Sequence, residues 1–222
     1  MQKHKCSLCG QEYTKNEKFK NEYLILEAIS KHNTLEYIDS LLEICPKCGV
    51  VKRNIDGFLT KDLKCKFDNI ISSNEYFKVL NSDISVIEKK IMLHEMLVKS
   101  GADIVEIYPN IDYIKWLYYD FINDIENAKI YYNKAKEYLI NEINADVGDV
   151  PPTTTKQKVV LTVNMQYNLY LADMFRRDGE FDKALYIIKK YDKFQFDETE
   201  FLEKQWFKKE KEFCKKENSN RL

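Results

Sequence analysis

The chain has 222 residues, 44% of them hydrophobic, which is enough to bury the core of one large or two small domains and too apolar for a disordered tail. Thirty-five Lys and Arg stand against thirty-six Asp and Glu, so net charge supplies no bulk attraction to nucleic acid or to an anionic membrane. No run approaches the roughly eighteen apolar residues of a membrane span, and the opening "MQKHKCSLCG" lacks the apolar stretch of a secretory signal, so a cytoplasmic protein is expected. Six glycines and four prolines leave few tight turns, and the Ile, Leu, Tyr, Lys and Glu content suits helices. The fold class expected is mainly α.

The first feature along the chain is "CSLCG" at residues 6–10, and "CPKCG" repeats it at residues 45–49. A C-x-x-C-G run has the shape of a zinc knuckle, in which the two residues between the cysteines turn back and the glycine lets the chain leave at positive φ. Cys6, Cys9, Cys45 and Cys48 together make a full tetrahedral thiolate shell, which points to one structural zinc per chain and leaves no open position for catalysis. A thioredoxin-like redox pair is the rival, but it needs a helix start behind a buried strand, and neither pair has that setting.

Thirty-five residues separate Cys9 from Cys45, so a folded piece must return the chain. "NEYLILEAI" and "TLEYIDSLLEI" read as two strands joined by a turn at "SKHN", and residues 1–66 are expected to form a β zinc-ribbon module with that hairpin between the knuckles. His4 precedes the first knuckle but reads as a solvated terminal residue, His32 falls in the turn, and His94 in "HEMLV" lacks the second histidine of a metalloprotease helix. Cys65 and Cys214 have no partner in sequence and read as packed or surface thiols.

Residues 1–66 carry twelve basic and nine acidic residues, and a zinc bound by four thiolates adds two negative charges, so the loaded module is almost neutral. Nucleic-acid binding is therefore the lesser expectation, resting on Lys47, Lys52 and Arg53.

Asp56 and Gly57 mark a turn at the junction, and from residue 74 the pattern is helical, with Ile84, Ile87, Ile91, Leu93 and Met96 near helical spacing. Gly101 and Pro109 break it. A second domain, residues 74–217, is expected to be a helical array with its own core that survives removal of the metal. Shifting the chain by fifty-six residues puts Tyr119 on Phe175, Ile125 on Phe181, Ala128 on Ala184 and Tyr132 on Ile188. The second copy has tetratricopeptide spacing at Leu171, Ala172, Phe175, Gly179, Phe181, Ala184 and Ile188, with Gly179 as the turn between two helices. Asn168 stands where that motif prefers Trp, and the polar "NADVGDVPPTTTKQK" accounts for the excess over a thirty-four-residue repeat. "KKEKEFCKKENSNRL" reads as the solvated end of a last helix.

The order "CSLCG", "CPKCG", then "YLADMFRRDGEFDKA" resembles a bacterial domain family of unknown function that joins a zinc ribbon to tetratricopeptide-like helices. The resemblance implies this architecture and a bound zinc, and implies no activity.

No nucleotide loop, nucleophile elbow or open metal site is present in the sequence, so no enzyme is expected. The function expected is that of a zinc-stabilised protein–protein interaction or scaffold protein whose helical array binds another protein, with nucleic-acid binding as the alternative. Tyr118, Tyr119, Tyr131, Tyr132 and Tyr138 offer aromatic anchors for a partner, though adjacent tyrosines more simply divide between core and rim. Arg176 and Arg177 either bind a partner's carboxylate or complement a helix end.

Overall fold

The computed structural model describes residues 3–14, 34–52, 59–101, 110–145, 155–191 and 201–219. The fold is mainly helical, with two small antiparallel strand pairs near the N-terminus. It parts into two compact units, Met1–Asp124 and Ile125–Leu222. The expected boundary between residues 66 and 74 thus falls inside the first unit, and helices assigned to the second domain belong with the cysteines. None of the described helices is long and apolar enough to cross a membrane.

In the first unit, β1 (Lys3–Lys5) pairs with β2 (Glu12–Thr14), and β3 (Glu43–Ile44) pairs with β4 (Val51–Lys52). Between them lies α1 (Thr34–Leu41), followed after β4 by α2 (Lys61–Ile71), α3 (Asn74–Leu80), α4 (Val86–Lys99) and α5 (Ile111–Phe121). The expected hairpin is overturned at its second strand: "TLEYIDSL" is the helix α1. Thr34, Tyr37, Ile38 and Leu41 are buried while Glu36 and Asp39 face solvent, a spacing of three to four that no alternating strand would give. The expected first strand and the turn with His32 lie outside the described residues.

Helix starts in this unit follow local chemistry. Thr60, Ser73, Ser85 and Asn110 each accept from the backbone N–H three residues on, at 3.3, 3.2, 3.1 and 2.9 Å, satisfying donors that a helix leaves open. Gly101, at φ 67°, ends α4 where the sequence places a break. α1 packs on α4 and α5, and Lys90 of α4 reaches Asp39 of α1 at 2.6 Å. Lys115 of α5, itself buried, meets Glu95 of α4 at 2.8 Å, and that lysine together with Lys99 holds Glu95 below the usual carboxylate range against the opposing effect of burial.

The second unit contains α6 (Ile125–Ala145), α7 (Thr155–Arg177), α8 (Phe181–Lys190) and α9 (Phe201–Ser219). α7 packs on α8 and α6, and α9 packs on both α7 and α8. Ala172 of α7 and Ala184 of α8 are both fully buried, small residues of the kind that let packed helices approach closely. Trp206 of α9 meets the Tyr170 ring edge to face at 4.8 Å, and Phe207 stacks on Tyr191 at 4.5 Å.

The turns related by the fifty-six-residue shift share one backbone geometry. Asn123 has φ 59°, and Asp124 N–H donates to Tyr119 carbonyl O at 2.9 Å; Gly179 has φ 78°, and Glu180 N–H donates to Phe175 carbonyl O at 2.8 Å. Both are left-handed helix stops with a six-residue closing bond. The units part at the first of these turns, so α5 and α6 belong to different units, whereas α7 and α8 pack within one. Ala128, aligned with buried Ala184, is half-buried.

The tyrosine pairs divide as the simpler reading has it: Tyr118 and Tyr132 are buried, and Tyr119 and Tyr131 are half-buried. Arg176 lies in the last turn of α7, the helix-end position expected of it, but its carboxylate partners are the chain's own. Its guanidinium is buried, with Nε donating to Glu210 Oε2 of α9 and a terminal nitrogen donating to Asp173 Oδ1, both at 2.7 Å. Arg177 Nε donates to both oxygens of Asp173 at 3.0 Å.

Burial, and then the neighbouring Asp173, push the Glu210 carboxyl up to about 8 against the pull of Arg176 and Arg177. Between its ordinary value of 4.5 and about 8 the folded chain keeps a proton that the unfolded chain has lost. The stability this group contributes is therefore full below 4.5 and lost as pH rises through about 8. Glu210→Gln is expected to flatten the fall of the denaturation midpoint over that window, measured by urea unfolding at a series of pH values.

Candidate metal centre

Each C-x-x-C-G run forms the tip of its own strand pair. In the first, Gly10 N–H donates to Cys6 carbonyl O at 2.8 Å and Cys6 N–H to Gln11 carbonyl O at 2.9 Å. The second repeats both bonds at 2.9 Å, from Gly49 to Cys45 and from Cys45 to Val50. Gly10 and Gly49 leave the turns at φ 73° and 70°, the left-handed exit that the glycine was expected to provide. The tips thus have equivalent backbones, and the hairpins sit at the knuckles, not between them. Strands of two or three residues are too short to show alternation, which is why the sequence does not announce them.

The two tips bring all four sequence-predicted cysteines together, with their Sγ atoms within 4.8 Å of one another. Cys6 Sγ lies 3.9 Å from Cys48 Sγ, and Cys9 Sγ lies 3.7 Å from Cys45 Sγ. A tetrahedral ion with metal–sulfur bonds of about 2.3 Å spaces its ligands about 3.8 Å apart, so these sulfurs fit a four-thiolate metal site. They are free thiols, far beyond a disulfide bond length of about 2.05 Å. Among the described residues no histidine or carboxylate joins the group. His4 stands on β1 across from Tyr13, with ring centroids 5.8 Å apart, and His94 is buried in α4. Cys65 is exposed and Cys214 is buried in α9, both apart from the cluster.

The electrostatics of the cluster require a cation if all four sulfurs are to be ionised. Burial pushes the Cys6 thiol up and the nearby Cys45 sulfur adds to it, although backbone N–H groups of Cys9 and Leu8 oppose the rise. Cys48 is likewise raised by burial and by Cys45, Cys6 and Cys9, against the Val50 N–H. At Cys9 burial also pushes upward, but the Gln11 N–H and the thiols of Cys48, Cys45 and Cys6 outweigh it and hold the group below its ordinary value. A divalent metal held there would take the place of the protons on Cys6 and Cys48.

Support comes from helices that no local pattern ties to the knuckles. Tyr76 of α3, fully buried, donates its hydroxyl to Gly49 carbonyl O at 3.0 Å. Leu80 of the same helix covers Gly49, and β4 packs on α4. Lys52 extends over the Phe67 ring of α2, 5.2 Å from its centroid, while Lys47 is exposed and Arg53 lies outside the described residues.

The equivalent glycines make a controlled comparison. A Cβ at Gly10 meets only Lys5 Cε at 3.6 Å, whereas one at Gly49 meets Leu80 Cδ2 at 2.6 Å. Gly10→Ala is expected to cost about 1–2 kcal/mol for the left-handed backbone alone, and Gly49→Ala about 1–3 kcal/mol more for overpacking. Denaturant unfolding of the two variants, with metal content measured on each, checks the difference.

No family model, curated protein or solved structure matches the chain, so the case for the centre rests on the geometry of its four sulfurs and the helices behind them.

Proposed function

We propose that this is a zinc-stabilised interaction or scaffold protein, in which Cys6, Cys9, Cys45 and Cys48 hold one structural Zn²⁺ and tetratricopeptide-like helices bind another protein. The observation that carries the reading is the closed set of four sulfurs within 4.8 Å at two equivalent hairpin tips. Bound there, zinc supplies a cross-link between the tips and no reaction, because four thiolates fill its tetrahedral shell.

The helical half of the proposal is supported by the α7–Gly179–α8 pair, with its left-handed turn and its buried alanines. In the second unit Ile125, Ile130 and Tyr186 leave much of their apolar surface in solvent, which suits contact with a partner.

Elemental analysis of freshly purified chain tests the metal, with one zinc per chain expected. For the partner, proteins that copurify with the native chain are reconstituted one at a time with zinc-loaded protein. Ile130→Glu and Tyr186→Ala are expected to weaken the true complex at least about tenfold, as loss of interface anchors does. Absence of any protein complex, together with salt-sensitive binding of labelled RNA or DNA, would replace this reading with nucleic-acid binding through the ribbon.

A further inference from the structure

Within the cluster, two close sulfur pairs cross between the hairpin tips, Cys6 with Cys48 at 3.9 Å and Cys9 with Cys45 at 3.7 Å. Each pair joins a buried cysteine, Cys6 or Cys45, to a half-buried one, Cys48 or Cys9. Cys9 and Cys48 are thus the more exposed cysteine of each pair. Closing either pair to a disulfide length of about 2.05 Å brings the sulfurs together by less than about 2 Å.

We propose that the centre is also a peroxide-sensitive modification site, in which Cys9 and Cys48 are oxidised first and Cys45 and Cys6 resolve them into two tip-to-tip disulfides, releasing the metal. This rests on the zinc reading. The thiolate of Cys9 attacks one peroxide oxygen; the O–O bond breaks, hydroxide leaves and a sulfenic acid forms. The Cys45 thiolate then attacks that sulfur; the S–S bond forms, the S–O bond breaks and a second hydroxide leaves. The two sulfurs lose two electrons, the two peroxide oxygens gain them, and solvent protons convert both hydroxides to water. Cys48 and Cys6 repeat the sequence with a second peroxide. A disulfide sulfur is a far weaker ligand than a thiolate, so the site loses its metal as its donors are consumed. The covalent links then tie the same tips that the metal had tied.

The test uses the full chain, reduced and zinc-loaded, with its zinc content measured first. A chain that holds no zinc at that stage overturns the metal reading itself. Hydrogen peroxide is then titrated in, zinc release is followed with a chromogenic chelator, and disulfides are mapped by mass spectrometry after alkylation. Release of the zinc by about two peroxides per chain is expected, with Cys6–Cys48 and Cys9–Cys45 links and recovery after dithiol reductant and added zinc. A dione trap at substoichiometric peroxide is expected to mark Cys9 and Cys48 before Cys6 and Cys45. Zinc retained after exposed Cys65 is fully oxidised overturns the proposal, as do links of Cys6 to Cys9 and Cys45 to Cys48, or trapping at the buried pair first.

Discussion

Cys48→Ser, or removal of the proposed zinc by a strong chelator, is expected to unfold the first unit as a whole while the helices of Ile125–Leu222 keep their structure. Structural zinc sites contribute about 10–16 kcal/mol in peptide systems near neutral pH, and a domain's entire net stability is about 5–15 kcal/mol. Losing a contribution of that size outweighs what the helices supply alone. The second tip is built into the helical core of its unit: Tyr76 bonds to Gly49, Leu80 covers it, and β4 packs on α4. This differs from the expectation that every helix past residue 74 survives chelation, because α3, α4 and α5 belong to the unit that holds the cysteines. Amide hydrogen exchange read by mass spectrometry checks the outcome, with protection lost from α3 and α4 and kept in α7 and α8. Full zinc content in Cys48→Ser, or equal loss of protection in both units, would contradict it.

Arg176→Ala is the second large effect, expected to cost the second unit about 3–5 kcal/mol above about pH 8, where Glu210 is ionised, the usual penalty for leaving a buried charge alone. Arg176 bonds to Glu210 and Asp173 at 2.7 Å with almost no solvent contact, and its guanidinium sits 5.3 Å from the Phe213 ring centroid. Asp173 keeps Arg177, but Glu210 loses its bond at Oε2, and its other oxygen is already buried without a hydrogen-bond partner. The double variant Arg176→Met with Glu210→Leu is expected to recover most of the loss, since apolar replacement of a buried pair is often neutral or better. Urea unfolding of the single and double variants measures both. A single variant within about 0.5 kcal/mol of the parent, the range of an ordinary surface change, would show that the pair is not formed.

Much of the candidate centre was legible because it is local. C-x-x-C-G sets the turn, the paired sulfurs and the glycine exit within five residues, and the same spacing twice implies a shared point. The glycine stop at Gly179 was legible for the same reason, since positive φ is open to glycine and costly to most residues. The segment "TLEYIDSL" was misread because its Ile, Leu and Tyr suit a strand as well as a helix. Its spacing at Tyr37, Ile38 and Leu41 carried the answer, and burial against α4 and α5 made it decisive.

By itself the sequence determined the four cysteines that meet, the dominance of helix and the places where helices stop, since each depends on chemistry within a few residues. Only the tertiary structure decided that the hairpins belong to the knuckles, that α3 supports Gly49 through Tyr76, and that Arg176 is answered by Glu210. Those partners lie 27 and 34 residues apart in the chain. Contacts at such separation are selected by the packing of whole faces and by the cost of leaving a buried polar group unpaired, which no short stretch of sequence expresses.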